Sequence, residues 1–111
     1  MEIHTEQQGV VTVVSIEGSI DSLTAGALQE QLQACVDQGQ VQLVANFAAV
    51  EYTSSAGLRA LLATVKKART GGGDLRLAQV QPSVHKVLNL SGFTSIMKLF
   101  DDVGAAVSSY A

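Results

Sequence analysis

Residues 41–65 read Val41-Gln42-Leu43-Val44-Ala45-Asn46-Phe47-Ala48-Ala49-Val50-Glu51-Tyr52-Thr53-Ser54-Ser55-Ala56-Gly57-Leu58-Arg59-Ala60-Leu61-Leu62-Ala63-Thr64-Val65. Val41 to Phe47 is a short, mostly apolar run of the kind that forms a central strand buried on both faces. Beyond the loop through Tyr52, the residues Leu58, Leu61, Leu62 and Val65 stand at i, i+3, i+4 and i+7, which is one apolar helix face. A buried strand leading through a polar loop into an amphipathic helix is an α/β unit. The flanking segments repeat it.

On the N-terminal side, Val10 to Glu17 is rich in β-branched residues and reads as a strand, with Val10, Thr12, Val14 and Ile16 on one face. Residues 2–7 supply a further strand, expected to pair antiparallel with it as a hairpin. Gly18 ends the Val10–Glu17 strand, and Asp21, Ser22 and Thr24 are candidate N-caps for a helix carrying Ala25, Leu28, Leu32, Cys35 and Val36. Gly39 stops that helix. On the C-terminal side, Lys66, Lys67 and Arg69 complement the negative end of the second helix dipole, and Gly71, Gly72 and Gly73 terminate it. Leu75 and Leu77 alternate with Arg76 in another strand. Pro82 suits a first helical turn, and Val84, Val87 and Leu88 form a third helix closed by Gly92. Ile96 to Phe100 is expected as a last edge strand, with Val103, Ala106, Val107 and Tyr110 in a closing helix. The predicted fold is α/β: one domain over residues 1–111, with a four- to five-stranded mixed sheet and helices packed mainly on one face.

Composition narrows the function. The 111 residues carry 7 basic and 10 acidic side chains, a net charge of −3, which argues against a nucleic-acid partner that needs a clustered basic footprint. Apolar residues make up 47% of the chain, enough for a packed core. The longest uninterrupted apolar run is four residues, so no helix is expected to span a membrane. The opening MEIHTEQQ is acidic and polar, unlike a signal peptide. Cys35 is the single cysteine, so it has no internal disulfide partner, and no Cys/His spacing suggests a metal site. These features predict a cytoplasmic domain without metal or cofactor.

The hydroxyl-rich stretch Thr53-Ser54-Ser55 falls at a helix N-terminus, where two readings stand side by side. The hydroxyls are helix caps, or one serine is a modification site. A phosphate there is tolerable for the fold, because free N–H groups and the positive dipole end favour an anion. It would add about −1.5 to −2 charge to any surface a partner must touch. Enzymatic readings fail. Ser83-Val84-His85-Lys86 matches Ser-x-x-Lys, but no Ser-Asp-Asn follows, and the only Arg-Thr-Gly (Arg69 to Gly71) precedes it. A triad from Ser55, His4 or His85, and Asp21 lacks the Gly-x-Ser-x-Gly elbow. Gly71-Gly72-Gly73 lacks the Gly-Lys-Ser/Thr of a phosphate loop. Lys66-Lys67-Ala68-Arg69 is too short for a nucleic-acid patch and reads as a solvated helix end.

Four motifs in order resemble the STAS domain family, and within it the stand-alone bacterial anti-sigma factor antagonists. Gly18-Ser19-Ile20-Asp21 followed by Thr24-Ala25 is similar to the family's Gly-x-x-Asp-x-x-Thr-Ala opening of the first helix. Val41 to Phe47 matches the central strand, Ser54-Ser55-Ala56-Gly57-Leu58 the phosphorylation loop, and Leu88-Asn89-Leu90-Ser91-Gly92-Phe93 the Leu-x-x-Ser-Gly-Leu/Phe turn. The resemblance implies a non-enzymatic regulator that binds an anti-sigma factor, itself a serine kinase of the histidine-kinase-like ATPase type, and so frees a sigma factor. Phosphorylation by the kinase then releases the antagonist, and a serine phosphatase resets it. The acceptor implied, two residues before the glycine, is Ser55. Asp21, Thr24, Thr53, Ser54 and Gly57 are the implied partner-binding residues, with Asp21 serving equally well as a cap. Asn46 stands where it can hydrogen-bond the loop or serve the strand. The position before the acceptor, commonly Asp in the family, is Ser54 here, which removes a charge and sets two hydroxyls side by side. The alternative implied is a STAS binding or scaffold subunit of a transporter or stress-sensing complex, without a phosphorylation cycle.

Overall fold

The strands of the sheet lie in the order in which they occur in the chain: β1 (Glu2–Gln8), β2 (Val11–Glu17), β3 (Gln42–Ala49), β4 (Asp74–Ala78) and β5 (Leu99–Phe100). The computed structural model describes residues 1–111. β1 and β2 form the expected antiparallel hairpin, and the other three pairings are parallel. Between the parallel strands run α1 (Ala25–Asp37), α2 (Ser55–Thr70) and α3 (Pro82–Leu90). Because the sheet advances in one direction, right-handed crossovers bring all three helices to the same face. Their apolar stripes, including Leu28, Leu32, Leu61, Val65, Val84 and Leu88, join Val14, Ile16, Leu43, Ala45, Phe47, Leu75 and Leu77 in one core.

A last helix, α4 (Val103–Ser108), follows the final strand and is bound by no crossover rule. It covers the opposite face, where Val11, Val13, Val44, Ala78 and Ala106 form a second, smaller core. This cover corrects the reading of β2. The strand begins at Val11 rather than Val10, and Val10 stands exposed in the hairpin turn beside Gly9. Both faces of β2 are buried, Val14 and Ile16 under the three crossover helices and Val11 and Val13 under α4.

β3 is central, as expected, and runs on to Ala49. Phe47 and Val50 are fully buried, so this stretch packs inward while Ala48 and Ala49 are exposed. β5 is shorter than the predicted Ile96–Phe100. The N–H groups of Ile96 and Met97 donate to Phe93 O after a 3-10 turn at Phe93–Ser95, so pairing with β4 begins only at Lys98, whose carbonyl accepts from Leu77 N, and ends where Gln79 N donates to Phe100 O.

The closing helix ends at Ser108, before Tyr110. The Tyr110 hydroxyl lies 2.6 Å from Leu43 O and 2.8 Å from Asp74 O and donates to these carbonyls. Arg76 lies over its ring, 3.9 Å from the centroid. Two of the three cations near the end of α2 carry contacts beyond the dipole: Lys67 pairs with Asp37 of α1 at 2.6 Å, and Arg69 with the buried Asp74 at 3.0 Å.

Candidate functional site

The loops following β2 and β3 leave the same end of two parallel neighbours and are stitched together there. Gly18 N donates to Ala49 O, Ile20 N to Tyr52 O and Ser54 N to Ile20 O, with Ile20 and Thr53 forming an isolated parallel bridge. The segment that opens α1 and the segment that opens α2 thereby become one surface. Asp21 and Thr24 come from the first, and Thr53, Ser54, Ser55 and Gly57 from the second.

Asp21 and Thr24 organise their turn together. The Asp21 carboxylate accepts from Leu23 N at 2.9 Å and Thr24 N at 3.0 Å. The Thr24 hydroxyl accepts from Asp21 N and donates to Ser19 O, each at 3.0 Å. Thr24 is the residue preceding α1, yet its side chain makes no capping bond inside the helix. The Asp21 carboxyl is held below the usual carboxylate range by the N–H groups of Thr24 and then Leu23, which favour its charged form.

The two adjacent serines are not equivalent. Ser54 has extended backbone angles (φ −88°, ψ 172°) and caps α2, its hydroxyl accepting from Gly57 N at 3.2 Å while its carbonyl accepts from Leu58 N at 3.0 Å. Ser55 is the first residue of the helix and is exposed. Its N–H and that of Ala56 belong to the unpaired first turn that attracts anions.

Thr53 and Gly57 lie inside. Thr53 is 3% exposed, and a Cβ on Gly57 would run into the Thr53 hydroxyl and come within 2.7 Å of Ile20 Cγ2. Gly57 therefore lets α2 sit directly on the Ile20–Thr53 bridge. Asn46 serves its own strand, its side-chain oxygen accepting from Ala48 N at 3.1 Å. Ser83 of the Ser-x-x-Lys match donates to Glu51 O at 3.2 Å, and Gln81 donates to Ala48 O at 2.7 Å, so α3 braces the loop from beside it.

Two exposed apolar side chains lie in the two segments that open α1 and α2 and were not picked out as site residues in the sequence. Leu23 is 89% exposed in the α1 turn, and Tyr52 is 52% exposed two residues before Ser54. The signal for Leu23 was its position before the stripe of Ala25, Leu28 and Leu32. None of the three concavities on the chain includes Ser54 or Ser55, the largest, about 680 Å³, lying between Arg69, His85 and Lys98. A hydroxyl surface outside these concavities, with exposed apolar side chains in the same two segments, fits a macromolecular partner better than a small substrate.

The STAS domain model matches residues 2–106. The chain belongs to the STAS domain family. BtrV of Bordetella bronchiseptica is 31% identical to this STAS domain over 110 residues, spanning 99% of the chain and 95% of BtrV. The crystal structure of an anti-sigma factor antagonist from Mycobacterium paratuberculosis superposes with a TM-score of 0.88 at 30% identity, over 97% of this chain and 92% of that one. SpoIIAA of Bacillus in its phosphorylated form shares the fold, with a TM-score of 0.76 at 18% identity over 99% of this chain and all of that one. This STAS domain falls within the anti-sigma factor antagonist group, whose members act by partner switching as regulators rather than as enzymes. No helix is long and apolar enough to cross a membrane.

Proposed function

We propose that this STAS domain binds an anti-sigma factor that is also a serine kinase of the histidine-kinase-like ATPase type, and that phosphorylation of Ser55 ends the binding. The observation that carries this reading is the division of labour between the serines. The Ser54 hydroxyl is committed to the Gly57 N–H, whereas Ser55 is exposed. A kinase can reach Ser55 without disturbing the cap. The phosphate then lies on the α2 N-terminus, which suits an anion, while its charge is added to the surface to which Leu23 and Tyr52 contribute exposed apolar side chains. Charge placed in an apolar contact carries a desolvation cost, so the fold survives and the complex does not.

Asp21, Thr24, Thr53, Ser54 and Gly57 shape this surface, and Leu23 and Tyr52 supply its apolar contact area. The cycle runs in the cytoplasm, with a serine phosphatase restoring the binding form. The test is intact-mass analysis with site mapping after incubation with ATP and the kinase from the protein's own cell extract. One phosphate on Ser55 is the expected result. No phosphate, in an extract active on another antagonist, would favour a scaffold role in a transporter or stress-sensing complex.

A further inference from the structure

We propose that Glu2, His4 and Glu17 form a surface site for a divalent transition metal, of the zinc or copper class, at the open end of the β1–β2 hairpin. Glu2 and Glu17 are direct cross-strand partners, and His4 lies two residues along β1 from Glu2. Ile3 and Ile16, the neighbouring cross-strand pair, pack toward the main core. Strand alternation therefore turns Glu2, His4 and Glu17 together to the other face.

Three features point to a cation held among them. His4 Nε2 lies 3.8 Å from Glu2 Oε2 and 3.9 Å from Glu17 Oε2, and one donor atom from each residue lies within 4.8 Å of the others. Those separations exceed hydrogen-bond length, while two ligands of a tetrahedral ion with bonds of about 2.0–2.1 Å lie roughly 3.3–3.4 Å apart. Closing the difference takes only small rotations of exposed side chains. Secondly, two carboxylates directly opposite each other on neighbouring strands repel, and a metal ion between them reverses that interaction. Thirdly, the donor set selects the ion: one imidazole with two carboxylates suits zinc and copper, whereas magnesium and calcium prefer oxygen alone. Sequence spacing could not reveal this site, because Glu17 joins it only through the hairpin register.

Bound metal would tie the two ends of the hairpin and stabilise the folded chain by mass action. The test uses Zn²⁺ alone on untagged protein, followed by calorimetry and thermal melting. One Zn²⁺ per chain is expected, with affinity at least tenfold weaker in His4→Ala and in Glu17→Gln, and with His85→Ala unchanged. Zn²⁺ should raise the melting temperature of the native protein and leave that of His4→Ala unmoved. Equal Zn²⁺ affinity in the native protein and His4→Ala, or no saturable binding at millimolar Zn²⁺, would overturn the proposal. All three ligands are exposed, so the folded state of each variant can be verified by circular dichroism before titration.

Discussion

Ser54 Oγ accepts the N–H of Gly57 at 3.2 Å, which divides two chemically identical neighbours into a structural hydroxyl and an exposed one. Ser54→Ala is expected to lower stability by about 0.5–2 kcal/mol through the lost cap. Ser55→Ala should stay within about 0.5 kcal/mol of the native protein, as exposed substitutions generally do. Urea denaturation of the two variants measures the difference. On the partner side, Ser55→Ala should bind constitutively, and Ser55→Asp should fold normally, since a carboxylate suits a helix N-terminus, yet bind much more weakly. Native-like binding by Ser55→Asp would remove the charge-exclusion mechanism.

Leu23 and Leu61 separate binding from folding. Leu61 is fully buried, and Leu61→Ala should cost about 2–5 kcal/mol of stability, harming binding only through lost folding. Leu23 is 89% exposed, so Leu23→Ala should leave the denaturation midpoint near native. If Leu23 anchors the partner, its truncation weakens affinity by more than about 1 kcal/mol. Paired melting and partner-titration measurements distinguish the two.

Gly57→Ala tests whether the loop depends on close approach. The added methyl would meet Thr53 and Ile20 inside the bridge joining the two loops, and overpacking of this kind costs about 1–3 kcal/mol. Amide exchange should speed up at Ser54 and Leu58, which donate to Ile20 O and Ser54 O. Unchanged exchange and stability would mean that the loop has room the static packing does not show.

Tyr110 gives the fold a sensitivity to base. Burial raises its hydroxyl well above the ordinary value of 10, with Arg76 opposing the shift. Because the folded-state value is raised, this stability is fully present below the unfolded value and is lost as pH rises beyond about 10. Stability measured in urea should fall between pH 9 and 11 by a component that Tyr110→Phe abolishes. The same substitution should cost about 1–3 kcal/mol near neutrality by taking a donor from the buried Leu43 and Asp74 carbonyls. A Tyr110→Phe protein with the native alkaline profile would assign the transition to other groups.

The residues decided most of the architecture by themselves, because helix and strand periodicity are local properties. Leu58, Leu61 and Val65 could form one buried stripe only on a helix, and Leu43 to Phe47 could be buried on both faces only as a central strand. The motif order from Gly18 to Gly92, through its resemblance to the STAS family, likewise placed the Thr53–Gly57 loop at the start of α2. Tertiary structure decided what depends on neighbours distant in the chain. Val11 and Val13 are buried because α4 returns to the far face of the sheet, and β5 is short because Ile96 and Met97 spend their N–H groups on Phe93. Ser54 and Ser55 have the same side chain, so only the backbone angles at the start of α2 could make one a cap and leave the other exposed. Glu17 meets Glu2 and His4 through strand register, which no spacing along the chain encodes.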